Sequence, residues 1–303
     1  MTKEEIDFQI IANFMAGKGE AKRKLSLLKN FLQSKQLSFR TTVIETPTAI
    51  SKIPQDGRTK IKKGVICIGG DGTVSETIGY LLNNQIRSPL AIIPTGTANI
   101  IVNTLGLNLK EDKFDFLLAD KTRKVDVGLV EYQDTKNYFL LGLGLGFEEN
   151  FLRLTKERLK AKLGIFSYIF AAISELLSLR KIPLVIENSQ IQVKTNVCLL
   201  TVLNLQPILL KLFPLYKNRM IKGDDGLLSL YYVEYWNYFQ ALLGTLIFHL
   251  FGQKNFGLVK EIFSSEFFLS SPSLVRTQVD GELRGNLPIR VTLLPLALEL
   301  MLI

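Results

Sequence analysis

Two cysteines, one histidine and one tryptophan are all that 303 residues supply of these types. The two thiols, Cys67 and Cys198, both sit inside apolar runs, so no disulfide framework is expected and a reducing cytosol is implied. A single histidine, His249 on an apolar stretch, argues against a His-dependent triad or a multi-His metal site. Acidic residues are outnumbered, 28 against 37 Lys and Arg, and the net charge is +9. That excess suits an anionic partner: nucleotide phosphates, an acidic membrane surface or nucleic acid. Long apolar runs are also missing. The most apolar window, "FQALLGTLIFHLFG" (239–252), is too short to span a bilayer and contains Gln240, Gly244 and His249. The opening "MTKEEIDFQIIANF" has no apolar h-region, so no secretion signal is expected. No P-loop string occurs, and "GLGLG" (142–146) has the wrong spacing for a dinucleotide fingerprint.

What is present is an alternation. "FQIIANF" (8–14), "FRTTVIET" (39–46), "GVICIGG" (64–70) and "PLAIIPTG" (89–96) read as strands, the third buried by its unbroken apolar character. Between them lie helical stretches, the basic "EAKRKLSLLKNFLQSKQ" and "TVSETIGYLLNN". This predicts a doubly wound, mostly parallel α/β domain over 1–124, with about 293–303 returning to it. From 125 to 292 short alternating runs with turn residues predict an antiparallel, β-sandwich-like domain. Helical segments are expected within it at 148–181 and 236–251. The basic helical face at 153–162 reads as solvated.

Three glycine turns fall at consecutive strand ends of the first domain. "GGDGTVSE" holds Gly69, Gly70, Asp71, Gly72 and Thr73; "PTGTAN" holds Thr95, Thr97 and Asn99; "NFMAGKG" holds Asn13, Gly17, Lys18 and Gly19. Between a strand and a helix, the amides of such a turn form an anion site that a phosphate can approach because no Cβ intervenes. A carboxylate in that nest, Asp71, suggests a bridging cation such as Mg²⁺ on a nucleotide. The plain alternative is a tight turn with Asp71 as N-cap. Later, "QVDGELRG" (278–285) offers a hairpin turn at Asp280-Gly281, with Glu282 as a second carboxylate able to act as a base. "KGDDGLLSL" (222–230) is a solvated turn or a cation site built from one carboxylate and backbone carbonyls.

"GGDGTVSE", then "PTGTAN", then "QVDGE", in that order, resembles the diacylglycerol kinase catalytic family, which includes the bacterial soluble lipid kinases and the sphingosine and ceramide kinases. "NFMAGKG", "KVDVGLV" with Asp126, "GLGLGFE" and "GDDGLLSL" resemble further segments of the family, so the likeness covers nearly the whole chain. It implies ATP between an α/β domain and a β-sandwich-like domain, and transfer of the γ-phosphoryl to a lipid hydroxyl, diacylglycerol first. Carried over, Asn13, Gly70, Asp71, Gly72, Thr73, Val74, Ser75, Glu76 and Thr97 would line the ATP site. Asp71 would organise Mg²⁺ and phosphates, and Glu282, helped by Asp280, would take the hydroxyl proton. Lys222 and Leu227 carbonyls with Asp225 would match a structural Mg²⁺ site.

Phe14 replaces the family's usual proline, Ser75 a common asparagine, Ile100 a frequent aspartate, and Glu148 the Asp of Gly-Phe-Asp. These departures keep open a catalytically weak nucleotide- or lipid-binding regulator. NAD kinases share GGDGT but carry a later Pro-Thr-Gly-Ser-Thr-Ala-Tyr string that is absent here. The resemblance and the charge together imply a cytoplasmic enzyme with peripheral association at an anionic bilayer, no nucleic-acid partner, and a homodimer through edge strands as an option.

Overall fold

The computed structural model describes residues 4–45, 59–107, 112–146, 179–206, 223–251 and 259–303. Two compact units emerge, one of 1–127 with 295–303 and one of 128–294.

In the first unit β1 (Glu4–Asn13), β2 (Phe39–Ile44), β3 (Thr59–Gly69) and β4 (Leu90–Pro94) are joined by β5 (Thr122–Glu131) and the end of β15 (Ile289–Met301). The order β2-β1-β3-β4-β15 is parallel throughout. Sheets of this kind are covered on both faces, so their strands are apolar without alternation. Phe8, Ile10, Ile11, Ala12, Val65, Ile66, Cys67 and Ile68 are all fully buried. Helix α1 (Glu20–Ser34) buries Ala21, Leu25, Leu28 and Leu32, a stripe at helical spacing. Those three leucines contribute roughly 1.5–3 kcal/mol each by burial. They pack on Phe8, Ile10, Ile66, Ile68, Ala91 and Ile93, one face of the sheet. Helix α2 (Asp71–Asn83) buries Val74, Thr77, Ile78 and Leu81, and its Thr77 hydroxyl donates to Cys67 Sγ at 3.4 Å. Cys67 alternates with Ile66 and Ile68, so α2 covers the other face. Helix α3 (Ile100–Leu105) is short and ends at Gly106, φ +73°.

Every pairing described within the second unit is antiparallel. Its strands are β6 (Lys136–Phe139), β7 (Gly142–Leu145), β8 (Ile182–Glu187), β9 (Gln192–Leu203), β10 (Leu228–Glu234), β11 (Val259–Ser264), β12 (Glu266–Ser270), β13 (Arg276–Val279) and β14 (Glu282–Asn286). One core packs Phe139, Leu143, Val202, Leu230, Phe267 and Ile289. Helix α4 (Tyr238–Phe251) lies on the opposite face, with Ala241 against Cys198, Tyr231 and Val233.

Several local expectations change. "NYFLLGLGLG" is two strands, because the amides of Leu140, Leu141 and Gly142 are taken by the Asp280 carboxylate. Strand β9 runs unbroken through polar Asn196, where a short run could have ended, since Asn196 takes a half-buried position in a continuous ladder. Strand β11 has no apolar run; it forms because β10 offers it a partner edge. The helical segment expected at 148–181, and the basic face at 153–162, lie almost wholly outside the described residues, and the His249 side chain is outside them too.

Burial pushes the Cys67 thiol up to about 12, and Cys198 is equally buried. Thiolates are the reactive species. Native protein at pH 8 is therefore expected to resist iodoacetamide at both cysteines, with two alkylations appearing by mass spectrometry only after denaturation.

Candidate functional site

The three glycine turns do meet. Gly17 stands at φ +72°, and a Cβ there would lie 2.1 Å from the Thr95 carbonyl oxygen. Gly70 and Gly96 touch back to back: a Cβ on Gly96 would come within 2.9 Å of Gly70 Cα and 2.8 Å of Asn99 Oδ1. The Thr95 N–H donates to the Gly69 carbonyl at 2.9 Å. Asn13 ties the first turn to the second. Its Nδ2 donates to Thr73 Oγ1 at 2.9 Å, while its Oδ1 accepts the Met15 N–H at 2.9 Å. Only backbone without side chains can approach backbone this closely.

Asp71 is the first residue of α2, and Gly70, extended at φ −94° and ψ −174°, is its N-cap. The plain alternative of Asp71 as N-cap is thus corrected: Gly70 takes that position, where a Cβ would lie a tight 3.3 Å from Gly96 Cα. The Asp71 carboxylate instead accepts the N–H of Ile100 at 3.0 Å and of Ile101 at 2.9 Å, the first two amides of α3. It therefore caps a helix from a distant loop. Gly70, the N-cap of α2, has no side chain to cap it. The amides of its first turn have no intrahelical acceptor, and they carry the positive end of a thirteen-residue helix. Beside them, Thr95 Oγ1 and Asn99 Oδ1 are buried without a hydrogen-bond partner among the described residues, and such atoms are rare unless a ligand or water serves them.

Around this point Gly72, Ser75 and Glu76 are half-buried, Thr73 and Val74 are buried in the first turn of α2, and Thr97 is exposed on its loop. Phe14, standing where proline is usual, donates its N–H to the Ile44 carbonyl at 3.0 Å, a bond proline could not make. Lys22 Nζ sits 5.2 Å over its ring. Lys24 was not anticipated: its Nζ reaches from α1 to the Pro94 carbonyl at 2.8 Å. Its signal was only one lysine among many on a basic helix.

The remaining candidates belong to the second unit. Asp280 (φ +46°) and Gly281 (φ +86°) form the two-residue turn between β13 and β14. The Asp280 carboxylate accepts the amides of Leu140, Leu141 and Gly142 at 3.0–3.1 Å, and its own N–H donates to Gly142. Its oxygens face main chain, so Asp280 fixes the hairpin tip. Glu282 begins β14, exposed, with its carboxylate paired to Arg284 on the same strand face. Tyr132, whose importance the sequence hid, stiffens the same hairpin. Its hydroxyl lies 2.7 Å from Thr277 Oγ1, which donates to the Gly285 carbonyl at 3.0 Å. A Cβ on Gly285 would lie 2.4 Å from the Tyr132 ring, and burial raises the Tyr132 pKa above the usual phenol range. In the 223–227 turn, exposed Asp225 accepts the Leu227 N–H at 3.2 Å; Lys222 lies outside the described residues. No cluster of three His, Cys, Asp or Glu side chains occurs among the described residues.

Gly17→Ala places a methyl against the Thr95 carbonyl in a left-handed conformation. The variant is expected to lose about 2 kcal/mol of stability or more in denaturant unfolding.

A family model described as the diacylglycerol kinase catalytic domain matches residues 7–130. A diacylglycerol kinase from Staphylococcus haemolyticus is 30% identical over 232 residues, covering 74% of this chain and 66% of that one. Among solved structures, a diacylglycerol kinase from Bacillus anthracis superposes with TM-score 0.68 at 20% identity, over 99% of this chain and 97% of its own. An NAD kinase from Archaeoglobus fulgidus, solved with ATP, superposes with TM-score 0.51 at 11% identity over 97% and 93%. The likenesses to solved structures establish a shared fold, while the family match covers all three glycine turns. The chain belongs to the diacylglycerol kinase catalytic-domain family, and it is a kinase.

Proposed function

We propose that the protein transfers the γ-phosphoryl of ATP, with Mg²⁺, to the hydroxyl of a membrane lipid, with diacylglycerol as acceptor and phosphatidic acid as product. One observation carries the nucleotide half of this reading. A long helix with an uncapped N-terminus opens behind glycines, beside two buried and unpartnered side-chain oxygens. Those amides suit phosphate oxygens, and the absence of Cβ atoms lets the phosphates come close.

The donor set also suits a magnesium-bound nucleotide. Each oxygen of Asp71 accepts one main-chain amide and keeps a lone pair, so the carboxylate can face a hydrated cation or its phosphates while still capping α3. Magnesium would neutralise charge that builds on the transferring group. Asn13 and Thr73 hold the cradle in shape. Asp225 and the Leu227 carbonyl are the remaining members of the structural Mg²⁺ site implied by the family.

In the transfer, the lipid hydroxyl oxygen forms a bond to the γ-phosphorus as the bond to the β,γ-bridging oxygen breaks, and ADP leaves. Glu282 accepts the hydroxyl proton. Asp280 is a positioning residue: with three amides bound, it fixes the hairpin that presents Glu282. Arg284 orients the Glu282 carboxylate until substrate arrives. Among the described residues no helix is long and apolar enough to cross a membrane, so the acceptor would be met at a bilayer surface.

The test is transfer of labelled γ-phosphate from ATP and Mg²⁺ to mixed micelles of candidate lipids, with NAD included. Label in phosphatidic acid supports the reading; label on NAD, or ATP binding with no labelled lipid, overturns it. Glu282→Gln is expected to lower turnover about 10²-fold with ATP affinity nearly unchanged. Asp71→Ala is expected to abolish transfer together with nucleotide binding. Equal loss of ATP binding in both variants would contradict the roles assigned.

A further inference from the structure

Past the end of β10, the chain from Tyr235 to Gly252 contains no charged residue. It also exposes large apolar side chains. Trp236 is 75% exposed, Phe239 72%, and Tyr238 and Leu243 42% each. Phe239 and Leu243 are four apart on α4 and share one face, and Trp236, in the bend just before the helix, adds a third exposed apolar side chain beside its first turn. Ala241 and Thr245 lie on the opposite face and are fully buried. Thr245 Oγ1 is 3.6 Å from Cys198 Sγ, which fixes that face against β9. The outward stripe is therefore no accident of a loose helix. Its inner side is packed and its outer side is apolar.

Its composition narrows what covers it. Tryptophan and tyrosine combine an apolar body with a polar tip and concentrate where a membrane meets water. The Trp236 Nε1–H already has an acceptor, Glu234 Oε2 at 3.0 Å, so the indole can turn its body outward with its polar group satisfied. Exposed cations flank the stripe. Lys194 alternates with Asn196 and Cys198 along β9 and so shares the face that α4 covers. Arg180 and Lys181 follow Leu179, which packs in the same cluster as Ala241. Among the described residues, Glu234 and Glu261 are acidic groups of the neighbourhood. Both are engaged, Glu234 by Thr195 and Trp236 and Glu261 by the Tyr231 hydroxyl.

We propose that Trp236 and the Phe239–Leu243 face of α4 form the surface that docks onto an anionic lipid bilayer, seating its aromatic rings at the headgroup level with Lys194, Arg180 and Lys181 against the lipid phosphates. This rests on the lipid-kinase reading, and it names the surface through which the enzyme reaches an acceptor that stays in the membrane. An interfacial helix of this kind binds through buried apolar area plus attraction to anionic headgroups.

Trp236 is the single tryptophan of the chain, so its emission reads this position without a label. The experiment uses the full chain with vesicles of phosphatidylcholine, alone or mixed with phosphatidylglycerol, at low salt. A blue shift with the anionic vesicles, quenching by brominated lipids, and on the order of 10-fold weaker vesicle binding by Phe239→Asp support the proposal. Mg²⁺–ATP binding by that variant, and its phosphorylation of a water-soluble short-chain diacylglycerol, are expected to match the wild type. Vesicle binding with unchanged Trp236 emission would mean that another surface docks. Conversion of a dimer to a monomer by Phe239→Asp would mean that a second copy covers the stripe. Either result overturns the proposal and leaves the kinase reading intact. Failure of the wild type to phosphorylate even the soluble diacylglycerol would remove that reading, and the docking surface with it.

Discussion

The carboxylate of Asp71 holds the glycine turns in register. It stands at the first position of α2 and accepts the first two amides of α3, so one negative charge serves the positive ends of two helices. Hydrogen bonds to a charged group are worth about 1.5–3 kcal/mol each, a large share of the 5–15 kcal/mol by which a typical domain is stable. The contact of Gly70 with Gly96 lets this happen, since a Cβ on Gly96 would push the two loops apart. The Thr95–Gly69 bond, the Asn13–Thr73 bond and the seat of Gly17 on Thr95 extend the same constraint to the end of β1.

With α3 capped from outside and α2 left uncapped, the unsatisfied amides are concentrated at one place. Phosphoryl transfer asks a protein mainly for positioning and charge neutralisation. On the proposed reading, the first unit supplies fixed amides for phosphates. The second carries an exposed carboxylate on a hairpin braced at both ends, by Asp280 at the tip and by Tyr132, Thr277 and Gly285 along the strands. Both are rigid devices built from backbone. That explains why departures such as Phe14 for proline are absorbed: Phe14 gains a hydrogen bond to Ile44 in the position where proline would have made none.

The convergence of the glycine turns was legible because glycine weakens regular structure and so marks places where backbone must come close. The parallel sheet was legible from strand-like runs alternating with helical stretches, and the burial of β3 from its unbroken apolar character. The partner of Asp71 was hidden. A carboxylate in a glycine loop has the same local signature whether it meets a cation or the amides of a helix twenty-nine residues on. Asp280 was hidden for the same reason, and its capture of three amides also split a continuous apolar run into β6 and β7. Pairing creates β11 and binds β9 into one strand, and pairing is a property of the neighbour's edge. Tyr132 and Lys24 matter only through residues far along the chain, so their own surroundings in sequence carried no sign of it.

The central claim is that phosphates are held by the backbone amides of the glycine turns. Hydrogen–deuterium exchange, with and without Mg²⁺–ATP, reads those amides directly. The account predicts that protection on nucleotide binding concentrates in residues 69–76 and 95–101, with a smaller effect at 13–19. Tight binding of ATP with protection confined to other segments would contradict it.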